Sequence, residues 1–134
     1  MKPPKALWRD KALNVTRDAR NNSASARSFT DTPMWNSTLS QRITPMTKVD
    51  RTDPSYIWYS PVEAESFEGV PPAYIETAEF DFLHDDVILY TESLQNEGIE
   101  VTLNEAKGTM HSFDIAAKAP TTLVAMQQRI SYIK

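Results

Sequence analysis

Asp81 and His111 stand thirty residues apart, and an aspartate and a histidine brought together do a particular chemistry. A carboxylate that accepts from imidazole Nδ1–H fixes the tautomer and stabilises the imidazolium, which makes Nε2 a general base. By spacing alone, a loop histidine is more often structural or surface-exposed than catalytic. What such a pair needs first is an architecture that brings its two members side by side.

The second half of the chain predicts one. Residues 73–78, Ala-Tyr-Ile-Glu-Thr-Ala after Pro71-Pro72, read as a strand. Residues 84–97 read as a helix with Val87, Tyr90, Thr91 and Leu94 on one face and Gly98 as its stop. Ile99, Val101 and Leu103 alternate through a second strand, and a loop with Gly108 and His111 comes after it. A last helix over about 121–134 is expected to turn Leu123, Met126, Ile130 and Ile133 inward, with Ile75, Leu103, Leu123 and Ile130 forming a small core. Strand, helix, strand and helix at these lengths make a βαβα unit with parallel strands, the α/β class. Asp81 then follows the first strand of the unit and His111 the second, at the edge where open α/β sheets place their ligands.

Residues 1–60 read differently. Eleven of the twenty residues from Asn21 to Ser40 are Ser, Thr or Asn, and Pro33, Pro45, Pro54 and Pro61 punctuate the stretch from 33 to 61. This half is expected to be loop-rich, with a short strand at 12–16 and a short helix over roughly 33–43 capped by Thr32-Pro33. It carries a net charge of +5 against −9 for residues 61–134. The basic charges are scattered and Trp8, Trp35 and Trp58 do not interleave with them, so a solvated face is expected and nucleic acid is not. The whole of 1–134 is expected to be one partial domain.

Three absences exclude whole classes. The sequence has no cysteine, which removes disulfides, thiolate metal sites and a cysteine nucleophile. No apolar run reaches the roughly 18 residues of a membrane span, and Met1-Lys2-Pro3-Pro4-Lys5 leads into no secretory h-region, so a cytoplasmic location is expected. On that reading the three glycosylation sequons at Asn14, Asn21 and Asn36 are chance matches. Glycine occurs only at 69, 98 and 108. Phosphate-cradling loops, the Rossmann fingerprint and a Gly-x-Ser-x-Gly elbow all need glycines where backbone approaches a ligand, and none is present.

The local words around the pair are more specific than its spacing. Phe80-Asp81-Phe82-Leu83-His84-Asp85 and Gly108-Thr109-Met110-His111-Ser112-Phe113 resemble the acid and histidine motifs of α/β-hydrolase serine esterases, in the hormone-sensitive-lipase-like branch. Ser60-Pro61-Val62-Glu63-Ala64, Val70 through Ile75, Ala78-Glu79 and the stretch from Leu94 to Leu103 agree with it. Phe29-Thr30-Asp31-Thr32-Pro33-Met34-Trp35-Asn36 looks like that family's segment after its preceding strand. The resemblance covers most of residues 12–134 and is strongest from about 58. It implies the C-terminal portion of an α/β-hydrolase, a few-stranded parallel sheet with Asp81 as triad acid and His111 as triad base. Phe82 stands where the family usually has Pro, and Ser112 where it usually has Gly.

The family's nucleophilic serine lies upstream on a Gly-Asp-Ser-Ala-Gly-Gly elbow, and its oxyanion loop reads His-Gly-Gly-Gly; neither is possible in a stretch without glycine before Gly69. Ser23, Ser25, Ser28, Ser37 and Ser60 lie in loops, and Ser112 is too close in sequence to aim at His111. The chain alone is therefore expected to be inactive. A complementing chain supplying the serine would complete a triad acting on a small carboxylic ester, with no cofactor and no metal. A reading of another class is a non-catalytic protein-interaction module using the exposed sheet edge, whose binding would survive His111→Ala. A metal site of Asp81, His84, Asp85 and His111 is the weaker alternative, since Asp85 and Asp86 suit the positive end of a helix dipole. His84, Glu105 and Asp114 read as solvent-facing. Trp35, Trp58 and Tyr59 would line an acyl pocket or plug the core.

Overall fold

Ala73–Phe80 forms β2, and its residues from Ala73 to Ala78 are all buried. A strand covered on both faces loses the in–out alternation of a half-exposed one, and β2 is covered because it is central. A computed structural model describes residues 6–8, 23–47 and 49–134. Among these, the sheet has three parallel strands in the order β1-β2-β3, with β1 at Ala6–Trp8 and β3 at Val101–Met110. The strand expected at 12–16 lies outside the described residues.

Parallel neighbours cannot be joined by a tight turn, and the crossover from β2 to β3 is a helix, α4, at His84–Asn96. Its predicted face is the one it buries: Val87, Tyr90, Thr91 and Leu94. Val87, Tyr90 and Leu94 pack with Phe67, Ala73 and Ile75 as the core, where Phe67 meets Tyr90 edge-on at 5.7 Å. Gly98, at φ 78°, ends the helix by donating to the Gln95 carbonyl, and Ile99 donates to Leu94 before the chain enters β3.

The last helix, α5 at Pro120–Ile133, reverses the predicted face. Leu123, Met126, Ile130 and Ile133 are exposed, while Thr122, Ala125, Arg129 and Tyr132 are buried. The cause is the strand beneath. Ala73 and Ile75 of β2 join the α4 core, but Tyr74 and Glu76, on alternate positions, meet α5 through Tyr132 and Arg129. A buried carboxylate demands a cation more strongly than an apolar stripe demands burial, so the helix turns its arginine in. Leu103 is also outside that core, 37% exposed on edge strand β3, which leaves Ile75 alone of the four expected core residues in the core.

Among its described residues, the loop-rich first half holds three helices: α1 (Ala24–Ser28), α2 (Ser37–Thr47) and α3 (Tyr56–Tyr59). The α2 helix starts one turn later than predicted. Asn36 caps it by accepting from the Leu39 N–H at 2.9 Å, while Met34 at φ 71° breaks the chain after Thr32-Pro33. No helix among the described residues is long and apolar enough to cross a membrane.

Candidate active site

Asp81 is the first residue after β2, and His111 the first after β3. Because those strands are parallel neighbours, both residues emerge at the same carboxyl edge of the sheet. There the Asp81 Oδ2 lies 2.8 Å from His111 Nδ1. Both side chains are buried, Asp81 at 3% exposure and His111 at 7%. The other Asp81 oxygen, Oδ1, accepts from the Leu83 N–H at 3.0 Å, and the Asp81 carbonyl accepts from the His84 N–H. One carboxylate oxygen is thus held by the start of α4, and that leaves the second turned to the ring.

The approach to His111 is shaped by a bulge. Ala78 stands opposite Ala106, but Phe80 stands opposite Met110, so β3 takes four steps where β2 takes two. Gly108 sits inside the extra length at φ 69°, a left-handed conformation that costs glycine little, and its N–H donates to Glu79 Oε2 at 2.7 Å. Bulges of this kind re-aim the residues beyond them. The sequence places Gly108 in a loop, because glycine usually interrupts a strand, whereas β3 runs through it to Met110. After His111, Ser112 takes φ 60°, a conformation that costs a side-chain-bearing residue about 1–2 kcal/mol. The chain then turns through a 3₁₀ segment at Phe113–Ile115.

A family model described as alpha/beta hydrolase fold matches residues 4–115. The chain belongs to that family. It is similar to neutral cholesterol ester hydrolase 1 of Mus musculus, 40% identical over 73 residues that make up 54% of this chain and 18% of that protein. Among solved hydrolase structures, a thermostable esterase from Pseudomonas putida ECU1011 superposes with a TM-score of 0.79 at 28% identity, covering 93% of this chain and 40% of that one. A bacterial heroin esterase gives 0.80 at 25%, covering 96% and 41%. The chain therefore spans less than half the length of the relatives it matches.

Among the described residues, the four members of the metal alternative separate into two pairs. Asp81 holds His111, and His84 places Nδ1 3.1 Å from Asp85 Oδ1 and Nε2 3.0 Å from Glu105 Oε2. His84 and Glu105, expected to face solvent, instead join the start of α4 to β3. Asp114, likewise expected in solvent, is paired with Arg129. Trp35 is half-buried, with its indole N–H lacking a hydrogen-bond partner; the side chains of Trp58 and Tyr59 lie outside the described residues. Ser25, one of the candidate serines, is buried and donates to the Phe82 carbonyl at 2.8 Å, which makes it a strut for the acid's turn.

Asp85 extends that strut by accepting from the Ser25 N–H at 2.8 Å. Burial pushes its carboxyl up, but the Ser25 N–H and the adjacent His84 together outweigh this and hold it below its ordinary value. A carboxyl depressed in the folded state binds protons more readily when unfolded. Its contribution is therefore present above the ordinary carboxylate range and lost as pH falls through the folded value. On acidification from about pH 5 to pH 3, amide protection in α1 is expected to fall in the wild type and to change less in Asp85→Asn. Hydrogen exchange across that range measures it, and equal acid sensitivity in both proteins would contradict the assignment.

Proposed function

We propose that this chain supplies the acid and the base of a carboxylic-ester hydrolase, with the nucleophilic serine and oxyanion donors coming from a complementing chain. The observation that carries the reading is the buried 2.8 Å contact between Asp81 Oδ2 and His111 Nδ1 at the carboxyl edge of the sheet. Likeness to esterases across most of the chain supports it.

In the completed site, the Nε2 of His111 takes the serine proton as the oxygen attacks the ester carbonyl. Asp81 remains ionised and stabilises the imidazolium. The imidazolium returns its proton to the alcohol leaving group, an acyl-enzyme remains, and water activated by the same nitrogen releases the carboxylic acid. Small carboxylic esters are the substrate class. The scarcity of glycine leaves no elbow or oxyanion loop here, and losing a nucleophile costs about 10⁶-fold in turnover. The isolated chain is accordingly inactive.

Labelling with a fluorophosphonate probe, read by intact mass, tests this. The chain alone should take no adduct. Mixed with the nucleophile-bearing segment of a similar esterase, that segment should become labelled, and His111→Ala should abolish the labelling. A single adduct on a serine of the isolated chain, lost in His111→Ala, would overturn the need for a second segment.

A further inference from the structure

Arg129 is 3% exposed and belongs to the outward-apolar helix α5, yet it reaches both the centre of the sheet and the loop that carries His111. Its Nη2 and Nε bind the two carboxylate oxygens of Glu76, the Nε contact being 3.3 Å. Glu76 is 2% exposed and also accepts from the Tyr74 hydroxyl and from Asn104 Nδ2, each at 3.0 Å. With Glu76 fixing the guanidinium, Nη1 is left to donate to Asp114 Oδ2 at 3.1 Å. Asp114 is three residues beyond His111, and one residue before it the Phe113 carbonyl accepts from Thr122 Oγ1 of α5 at 3.3 Å.

Between these anchors and His111 lies Ser112, in its left-handed conformation. A non-glycine residue stays in that well only where its surroundings over-determine it. Asp81 holds the chain on one side of Ser112, and α5 holds it on the other. We infer that Arg129 is a positioning residue for the proposed base, acting through Asp114 to keep the His111 ring on Asp81. The inference rests on the Asp81–His111 reading above but concerns a different set of residues. Burial works against the Arg129 charge, and Glu76 and Asp114 together more than offset it, so the guanidinium stays charged throughout the working range.

The test is proton NMR of the chain itself, which has two histidines, His84 and His111. A downfield Nδ1–H resonance, retained in His84→Gln and so belonging to His111, reports the bond to Asp81. Asp114→Asn cuts the loop tie but leaves Arg129 with Glu76. In this variant the resonance is expected to vanish or its exchange with water to quicken by about tenfold, with the helix content unchanged and Asp114→Glu restoring the signal. Arg129→Lys, whose single ammonium lacks the fork to serve both carboxylates, should show the same loss and serves if Asp114→Asn does not fold. A folded Asp114→Asn or Arg129→Lys chain with wild-type exchange overturns the inference alone. A wild-type chain without the resonance overturns the Asp81–His111 reading, and this inference with it.

Discussion

With a serine and its oxyanion donors supplied, His111→Ala is expected to lower ester turnover by about 10⁶-fold and to leave KM nearly unchanged. The size comes from what the ring does. In the proposed mechanism it removes the serine proton, delivers it to the leaving alcohol and then activates water, so its loss would block both halves of the reaction. Asp81→Asn should cost less, about 10⁴-fold, because the ring remains but in the wrong tautomer. The Asp81 carboxylate has one oxygen on the Leu83 N–H and the other on the His111 ring, so the asparagine can keep the first contact while its amide opposes the second. Steady-state kinetics on a p-nitrophenyl ester with the complemented protein measures both. Turnover within about tenfold of wild type in His111→Ala would remove His111 from the chemistry.

Arg129→Met is expected to destabilise the fold by about 3–5 kcal/mol, since it leaves the Glu76 carboxylate buried without its cation. Chemical denaturation provides the measurement. Truncating both partners, as Glu76→Leu with Arg129→Leu, should recover much of that loss, because desolvating two charges is itself expensive and apolar residues of similar size avoid it. The double variant therefore separates stability from positioning. It should fold yet leave Asp114 without its guanidinium, so the stability returns while the tie to the histidine loop does not. A single Arg129→Met chain as stable as wild type would mean that the buried pair contributes nothing.

The elements that place the pair could be read because their signals are local. Pro71-Pro72 sets the start of β2, a helical apolar period and Gly98 delimit α4, and the words around Asp81 and His111 mark the ends of two adjacent strands. The inward face of α5 could not be read from periodicity, which assigns apolar residues to the core. It depends on a residue forty-four positions before the helix begins, Glu76 against Pro120. A signal was nonetheless present: Arg129 is the only arginine after Arg51, and Glu76 interrupts the otherwise uncharged run from Ala73 to Ala78. A lone carboxylate in a central strand requires a partner, and a rigid fork is the residue suited to it. The late start of α2 had a smaller cause, two competing caps four residues apart, of which Asn36 makes the bond to the helix N–H.

Asp81 and His111 also belong to one unbroken run of chain, from the end of β2 through α4 to the end of β3. The entropy of bringing two points together grows only with the logarithm of the intervening length, so a thirty-residue separation is closed by the same packing event that seats α4 on the sheet. The Asp81–His111 contact is therefore made by this chain's own packing, and on the proposed reading it precedes the arrival of any nucleophile. On that reading a complementing segment would meet a finished surface, and the ordering cost of association would fall on its own side of the contact. Reconstitution should then proceed at the pace of encounter between two bodies, with no slow phase arising from rearrangement at Asp81 and His111.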